Sequence, residues 1–386
     1  MTPPGADTVL VRYGEIGAKS SGVRGRMERQ LCTNLGAVID AEGVDGRVER
    51  LPTRPLVRTP DPERAGAVLS RVPGVASLSV CRTVAPERGA VVDALAETAE
   101  SLYETGTFAV RARCPEGGLS SMALQRAAGS EIESRVAHAS VDLDAPDFTV
   151  RVEVRAEEAF VFVDSRDGPG GLPVGTQEPV VALVSGGIDS PVAAYQLLRR
   201  GAPVIPVYIE LGEYGGPDHE ARAVASVNRL QRLAPTHDLR PYVVDGGEAV
   251  AALADAMDRG RMLSLRRYML RVAEAIADRE GADGIVTGEA LGQKSSQTAR
   301  NLKLTSAATR LPVHRPLLTL DKPAIVERAK ALGTYEEASI PAGCNRLAPA
   351  RPETRGRLSK LQELEPAELF AWAARDAAAA TRIDAF

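Results

Sequence analysis

Ser185-Gly-Gly-Ile-Asp-Ser190 brings two hydroxyls, two glycines and one carboxylate into six positions, a set suited to holding an anion. An apolar run, Val180-Val-Ala-Leu-Val184, precedes it and reads as a strand buried on both faces of a parallel sheet. Pro191-Val-Ala-Ala-Tyr-Gln-Leu-Leu-Arg-Arg200-Gly201 follows and reads as a helix. Ser190 is expected to cap that helix, Pro191 to take its first position, and Arg199, Arg200 and Gly201 to end it. Gly186 and Gly187 permit a tight turn and a close approach of backbone to ligand. The first N–H groups of a helix lack internal partners, so strand, turn and helix together predict a phosphate site. The helix dipole contributes only ~0.3–2 kcal/mol, which leaves most of the binding to those hydrogen bonds. No G-x-x-x-x-G-K-[ST] and no G-x-G-x-x-G occurs, which excludes a Walker A loop and a dinucleotide fingerprint.

A second polar stretch, Thr287-Gly-Glu-Ala-Leu-Gly-Gln-Lys-Ser-Ser-Gln-Thr298, follows a predicted strand and offers glycines, hydroxyls and two amides to a nucleotide. Asp189 either caps its helix or holds Mg²⁺ and positions a phosphate. Cys344 lies in the turn-rich stretch Ser339-Ile-Pro-Ala-Gly-Cys-Asn-Arg346, where Arg346 favours the thiolate over the ordinary thiol pKa of about 8.5. Cys32, Cys81 and Cys114 read as idle, with Cys32 beside a helix's apolar face.

These residues need a scaffold. The C-terminal half predicts strands at 204–210, 241–245, 284–288 and 313–317, and helices at 219–233, 247–259, 262–279 and 322–332. That alternation describes a doubly wound sheet whose ligands lie beyond the carboxyl ends of its strands. Residues 185–190, 208–210 and 287–288 then surround one crevice. The N-terminal half predicts a strand at 8–13 and a helix at 24–42, with Met27, Leu31, Leu35, Val38 and Ile39 on one face. Strand and helix alternate through 48–84 as in a small ferredoxin-like unit. Strands at 107–114, 147–155 and 159–163 and helices at 91–105 and 121–136 follow. Residues 164–179, rich in Gly and Pro, read as a linker. Arg24, Arg26 and Arg29 make a modest basic cluster beside Lys19.

Length and composition bound the rest. A chain of 386 residues suggests two to three domains, and 44% hydrophobic with 25% charged residues is the balance of a soluble globular protein. No apolar run of membrane-spanning length and no signal peptide occurs, so the expected location is the cytoplasm, with no membrane partner. Four cysteines without a C-x-x-C argue against structural zinc or a disulfide framework. A net charge of −4 means that any nucleic-acid contact comes from local patches. Lysine is scarce, and Lys19, Lys294 and Lys322 all fall in motif-like stretches.

Several separated stretches share one resemblance. Leu10-Val-Arg-Tyr-Gly-Glu-Ile-Gly-Ala-Lys19, Phe108-Ala-Val-Arg-Ala-Arg113, Ser120-Ser-Met122, Val150-Arg-Val-Glu-Val-Arg155 and Gly171-Leu-Pro-Val-Gly-Thr-Gln177 resemble the tRNA 4-thiouridine synthetases of the ThiI family. So do the two polar loops, the first of which is similar to the PP-loop of ATP pyrophosphatases. The resemblance covers nearly the whole chain and implies a multidomain α+β and α/β protein. It implies an N-terminal ferredoxin-like domain at 1–62, a THUMP RNA-binding domain at 63–167, and a doubly wound parallel-sheet PP-loop domain at 176–386.

By that resemblance Leu183, Val184, Ser185, Gly186, Gly187, Ser190, Tyr208, Ile209, Arg266, Gly288 and Gln297 would bind ATP. Asp189 and Lys322 would act at the phosphates, with Mg²⁺ and Asp189 as its candidate ligand, and Cys344 would carry a persulfide. Lys19, Arg24 and Arg113 are the candidate RNA contacts. Arg266 stands where the family often has lysine, which keeps the charge and changes the donor geometry. The implied reaction adenylates a tRNA uridine, at position eight, and replaces its 4-oxygen with sulfur. Implied partners are tRNA and a sulfur source, either sulfide or a persulfide donor such as a cysteine desulfurase. A homodimer is a candidate assembly, and a link to thiamine synthesis is left open.

Two departures stand out. No rhodanese domain is expected, and without a C-x-x-C no iron–sulfur cluster is expected, so the sulfur donor and the reductant of any disulfide stay open. Cys114 is a candidate resolving thiol. Two rival classes each explain part of the chain: a PP-loop synthetase acting on a small substrate, and a THUMP RNA-binding protein with an inactive ATPase half. The first does not need residues 1–170 or Cys344. The intact loops 185–190 and 287–298 speak against the second.

Overall fold

The computed structural model describes residues 1–51, 54–116, 118–215, 217–338, 347–349 and 351–384. Cys344 and Arg346 lie outside the described residues. The chain divides into two compact units, Met1–Pro173 and Val174–Phe386.

The first unit begins with β1 (Thr8–Arg12), α1 (Ser21–Ala41), the hairpin β2 (Arg47–Leu51) and β3 (Arg54–Arg58), α2 (Pro62–Leu69) and β4 (Ser77–Val84). The strands pair antiparallel in the order β2-β3-β1-β4, which is the ferredoxin-like arrangement. Leu31, Leu35, Val38 and Ile39 of α1 pack with Val9 and Val11 of β1, as the helical spacing requires. In α2, Asp61 accepts a hydrogen bond from the Arg64 N–H and Pro62 opens the helix. Ala65 and Leu69 of α2 and Leu78 of β4 share that same core, so the first layer continues past residue 62.

The far end of β4 pairs with β8 and carries the sheet onward. The added elements are α3 (Arg88–Leu102), β5 (Thr107–Arg113), α4 (Ser121–Arg135), β6 (Ser140–Val141), β7 (Phe148–Val154) and β8 (Ala159–Phe162), with β9 (Arg166–Asp167) returning to the near end of β4. The sheet runs β4-β8-β7-β5-β6, with β5 parallel to both β7 and β6. One part of the expected linker is therefore structure. Gly168 and Gly170 donate to the Ala76 and Val75 carbonyls at 2.9 and 2.7 Å, and a Cβ on Gly168 would collide with the Val75 carbonyl oxygen. Those glycines serve close packing, not flexibility.

The second unit comprises β10 (Val180–Val184), α5 (Asp189–Leu198), β11 (Val204–Glu210), α6 (Pro217–Gln231), β12 (Tyr242–Asp245), α7 (Gly247–Ala256), α8 (Arg261–Glu280) and β13 (Ile285–Val286). It continues with α9 (Ala299–Ser306), β14 (Val313–His314), α10 (Lys322–Leu332), α11 (Tyr335–Ala338), α12 (Leu358–Leu364), α13 (Leu369–Ala379) and β15 (Thr381–Arg382). The order β14-β13-β10-β11-β12-β15 is parallel except for β15, which pairs antiparallel with β12. Val181, Val207 and Ile209 face the α7–α8–α13 layer, whereas Val180, Ala182, Val184 and Tyr208 face α5 and α6. Alternation across a two-sided core is what makes β10 and β11 continuous apolar runs.

The C-terminal helix fastens α8. Tyr268 on α8 donates to the buried Asp376 of α13 at 2.6 Å, and buried Arg267 pairs with Glu365 at 2.8 Å. Among the described residues no helix is long and apolar enough to cross a membrane.

Candidate functional site

The chain steps from β10 to β11 on one side and later to β13 on the other, so a crevice opens at the carboxyl ends of these strands. There a cavity of about 260 Å³ collects residues from β10, β11, α8 and the loop after β13. Leu183, Val184, Ser185, Asp189, Ser190, Tyr208, Ile209, Arg266 and Gly288 all line it, as the sequence expectations require of one crevice. Gly186, Gly187 and Gln297 do not line it.

The loop is built differently from the expectation. Helix α5 starts at Asp189, and Ser190 is not its cap. Ser190 Oγ instead accepts from the Ser185 N–H at 2.9 Å and lies 3.1 Å from Ser185 Oγ, stapling the loop across its base. Helix α5 has no side-chain cap, so its first N–H groups, at the cavity residues Asp189 and Ser190, are left without a side-chain partner. Gly186 and Gly187 do not adopt positive φ either. Gly186 is required because a Cβ there would sit 2.9 Å from the His219 carbonyl oxygen. Gly288 is required because a Cβ would meet the Ser190 nitrogen at 2.8 Å.

Asp189 stands at the rim with its side chain 28% exposed, held by Lys322 Nζ at 2.7 Å and by Gln293 Nε2 at 3.1 Å. Lys322 opens α10, whose cap is Asp321, accepting from the Ala324 N–H at 3.0 Å. Gln297 works inside its own loop: its Oε1 accepts from the Lys294 N–H at 3.2 Å and its carbonyl from the Gly292 N–H at 2.9 Å.

Sequence reasoning missed a buried carboxylate. Glu289, 8% exposed, lines the cavity between two guanidiniums, with Arg315 Nε at 2.8 Å and Arg266 Nε at 3.4 Å, and Thr287 Oγ1 donates to it at 3.1 Å. Arg266 also donates to Ser296 Oγ at 3.0 Å. Burial pushes the Arg266 guanidinium down from its ordinary value, Glu289 opposes that, and Arg315 adds to it. Its partner lies 23 positions away and Arg315 a further 26, so no local pattern announces the cluster. Glu289→Ala leaves two partly buried cations without their anion and is expected to cost about 3 kcal/mol. The only tryptophan, Trp372 on α13, packs against the core of this unit and reports its unfolding; a loss below about 1 kcal/mol would show the cluster to be dispensable.

His219, buried beside the cavity, was likewise missed; burial, then Arg222, holds its imidazole below the usual value, so it is neutral at pH 7. Among the described residues no group of three His, Cys, Asp or Glu side chains could hold a metal ion by itself.

The first unit carries a basic cleft of about 240 Å³ lined by Arg12, Arg111, Arg113, Arg151, Glu153 and Phe162. Arg111 and Arg113 alternate onto one face of β5, and Arg151 is the register partner of Arg111 on β7. Arg12 lies over the Phe162 ring at 4.9 Å, and burial lowers its pKa, with the charges of Arg54 and Arg113 adding to the shift. Of the expected RNA contacts only Arg113 is in this cleft. Lys19 follows the turn after β1, and Arg24 faces Glu28 at 3.9 Å on α1. The i, i+2 arginines of β5 were the available signal for Arg111.

Comparison with known proteins follows the same layout. The family profile described as thiamine biosynthesis protein (ThiI) matches residues 175–370, the THUMP domain 90–164, and the ThiI ferredoxin-like domain 8–79. A probable tRNA sulfurtransferase of Halobacterium salinarum is 52% identical over 377 residues, covering 97% of this chain and 96% of that protein. Another, from Aeropyrum pernix, is 41% identical over 341 residues, covering 86% and 85%. A solved 4-thiouridine synthetase–RNA complex with bound ATP superposes with a TM-score of 0.86 at 31% identity, covering 97% of this chain and 98% of that one. With all three profiles matched in order and relatives aligned almost end to end, the chain belongs to the ThiI family.

Proposed function

We propose that this chain activates a tRNA uridine with ATP and replaces its 4-oxygen with sulfur, giving 4-thiouridine, with the uridine at position eight as the target. The chain is an ATP-dependent tRNA sulfurtransferase. The single observation that supports ATP activation here is the crevice beyond β10, β11 and β13, where the uncapped helix N-terminus and Arg266 meet Asp189, with its partner Lys322.

The chemistry follows from the leaving group. A carbonyl oxygen leaves poorly, so the uridine O4 attacks the α-phosphorus of ATP and pyrophosphate departs. Sulfur then adds at C4, and AMP leaves with the original oxygen. The apolar part of the cavity, including Leu183, Ile209 and Met269, suits the adenine. The first N–H groups of α5 and the cations of Arg266 and Lys322 suit the phosphates and the charge that grows on them.

The rim also fits Mg²⁺. Asp189 supplies a carboxylate, and the buried Oε1 of neighbouring Gln293 has no hydrogen-bond partner. One carboxylate plus substrate phosphates is a common way to hold this ion, and it would neutralise phosphate charge there. The sulfur donor is a persulfide, as from a cysteine desulfurase, or sulfide itself.

The test is direct. Purified protein, tRNA, ATP and sulfide should yield 4-thiouridine by nucleoside mass spectrometry, mapped to position eight. Pyrophosphate release without any thionucleoside would favour a different PP-loop activity.

The arginine cleft supports tRNA binding by phosphate contacts, since the net charge of −4 cannot supply it. Affinity should fall with salt at a log–log slope of about −3, the value for four neutralised phosphates. Arg113→Ala should flatten that slope by about one unit. Fluorescence anisotropy across a salt series measures both, and a salt-independent affinity would sink this part of the reading.

A further inference from the structure

Leu291 is 52% exposed, yet it sits in the polar loop that forms the rim of the site. Ala290 beside it is buried in the core, so the loop turns sharply outward at this residue. The turn is pinned: the Leu291 N–H donates to the Leu318 carbonyl at 3.0 Å, and the Gly292 N–H to the Gln297 carbonyl at 2.9 Å. Gly292 takes φ +76°, a conformation that holds the tip in place. Two residues on, Gln293 grips Asp189 at 3.1 Å. Leu291 is thus an exposed apolar side chain two residues before Gln293, which binds Asp189, in a loop that also carries the exposed Lys294. It belongs to neither apolar core of this unit.

The substrate explains what such a side chain could do. The cavity lies within the crevice behind Asp189, so a uridine stacked within folded tRNA cannot bring its O4 to an ATP phosphate held there; the base must leave its stack. Extruding a base opens a gap, and enzymes that unstack bases fill such gaps with an apolar side chain. Lys294, exposed three residues further on, can hold a phosphate beside the extruded nucleotide.

We propose that Leu291 is the wedge that enters the space left by the target uridine when its base is drawn into the site. The proposal rests on the tRNA-thiolation reading above.

The experiment uses the full chain, with Leu291→Ser and Leu291→Met, on two transcripts. One is intact tRNA. In the other the bases that pair with and stack on the target uridine are replaced by abasic residues, which removes most of the extrusion cost. On intact tRNA, Leu291→Ser should lower kcat/KM for thiolation about tenfold or more, with the loss falling to about twofold on the loosened transcript. Leu291→Met should keep the wild-type rate, and the affinity for ATP alone should not change in either variant. An equal loss on both transcripts would make Leu291 a plain contact and overturn the wedge, as would no loss at all. Failure of the wild-type protein to thiolate either transcript would overturn the functional reading and the wedge with it.

Discussion

Asp189→Ala should stop pyrophosphate release in the presence of tRNA, lowering the rate about a thousandfold or more, while the protein stays folded. The two halves of this expectation come from the same geometry. Asp189 is the first residue of α5 at the mouth of the crevice, and it gathers Lys322 and Gln293 onto its two oxygens. Without the carboxylate, Lys322 and Gln293 lose their fixed positions and the candidate ligand for Mg²⁺ is gone, so charge growing on the α-phosphate is left unsupported. Stability should barely change, because Lys322 is 45% exposed and water replaces the lost partner. Trp372 fluorescence should therefore melt as in the wild type, and tRNA affinity, proposed above to come from the arginine cleft, should be kept. Asp189→Asn separates charge from shape: it preserves size and one hydrogen-bond acceptor, and should be nearly as inactive. Lys322→Ala should be milder, about a hundredfold, since Arg266 and the helix N-terminus remain. Pyrophosphate release by Asp189→Ala at the wild-type rate would remove Asp189 from the chemistry.

The parts of this site that were legible in the sequence are those that short-range rules govern. Val180–Val184 reads as a two-faced strand because parallel strands are buried on both sides, and the structure puts alternate residues into the two apolar layers. Of the loop glycines, Gly186 and Gly288 are required by crowding from His219 and Ser190 and not by a left-handed turn. Ser190 shows how a local rule fails: a serine near a helix start favours capping, but it lies one residue inside α5 and its Oγ takes the Ser185 N–H instead, beside the Ser185 hydroxyl. The Glu289–Arg266–Arg315 cluster joins residues from α8, the loop after β13 and the segment after β14, and only the closed sheet brings them together. The C-terminal elements were silent for the same reason. Leu369–Ala379 is an alanine-rich helix whose partner, α8, lies about a hundred residues earlier, and β15 adds two residues antiparallel to an otherwise parallel sheet. In the first unit the arginine cleft draws on four strands, and of its lining the sequence reading took only Arg113 as an RNA contact.

Cys344→Ser should separate activation of the tRNA from sulfur transfer. The substitution changes no residue of the loops 185–190 and 287–298, so the variant should still adenylate tRNA and release pyrophosphate. With a persulfide donor it should form no 4-thiouridine, because a serine hydroxyl cannot accept and pass on a sulfur atom. In the carrier route the donor gives its outer sulfur to the Cys344 thiolate, and that sulfur displaces AMP from C4. A second thiolate then attacks the Cys344 sulfur, freeing thiouridine and leaving a disulfide, which the thiol reductant supplied in the assay reduces. The other cysteines are the controls. Cys81 is wholly buried, and burial pushes its thiol up to about 12, which removes it from thiolate chemistry. Burial also raises the Cys32 thiol. Single replacement of either should leave the product unchanged, whereas Cys114→Ser should slow turnover if Cys114 supplies the second thiol. Free sulfide offers a competing route, since HS⁻ can attack the adenylated uridine without any carrier. Persulfide and sulfide must therefore be run in parallel. Loss of product with persulfide and retention with sulfide identifies Cys344 as the carrier; loss with both gives it a role in the displacement itself; wild-type rates of 4-thiouridine formation from both donors would show that this cysteine carries nothing.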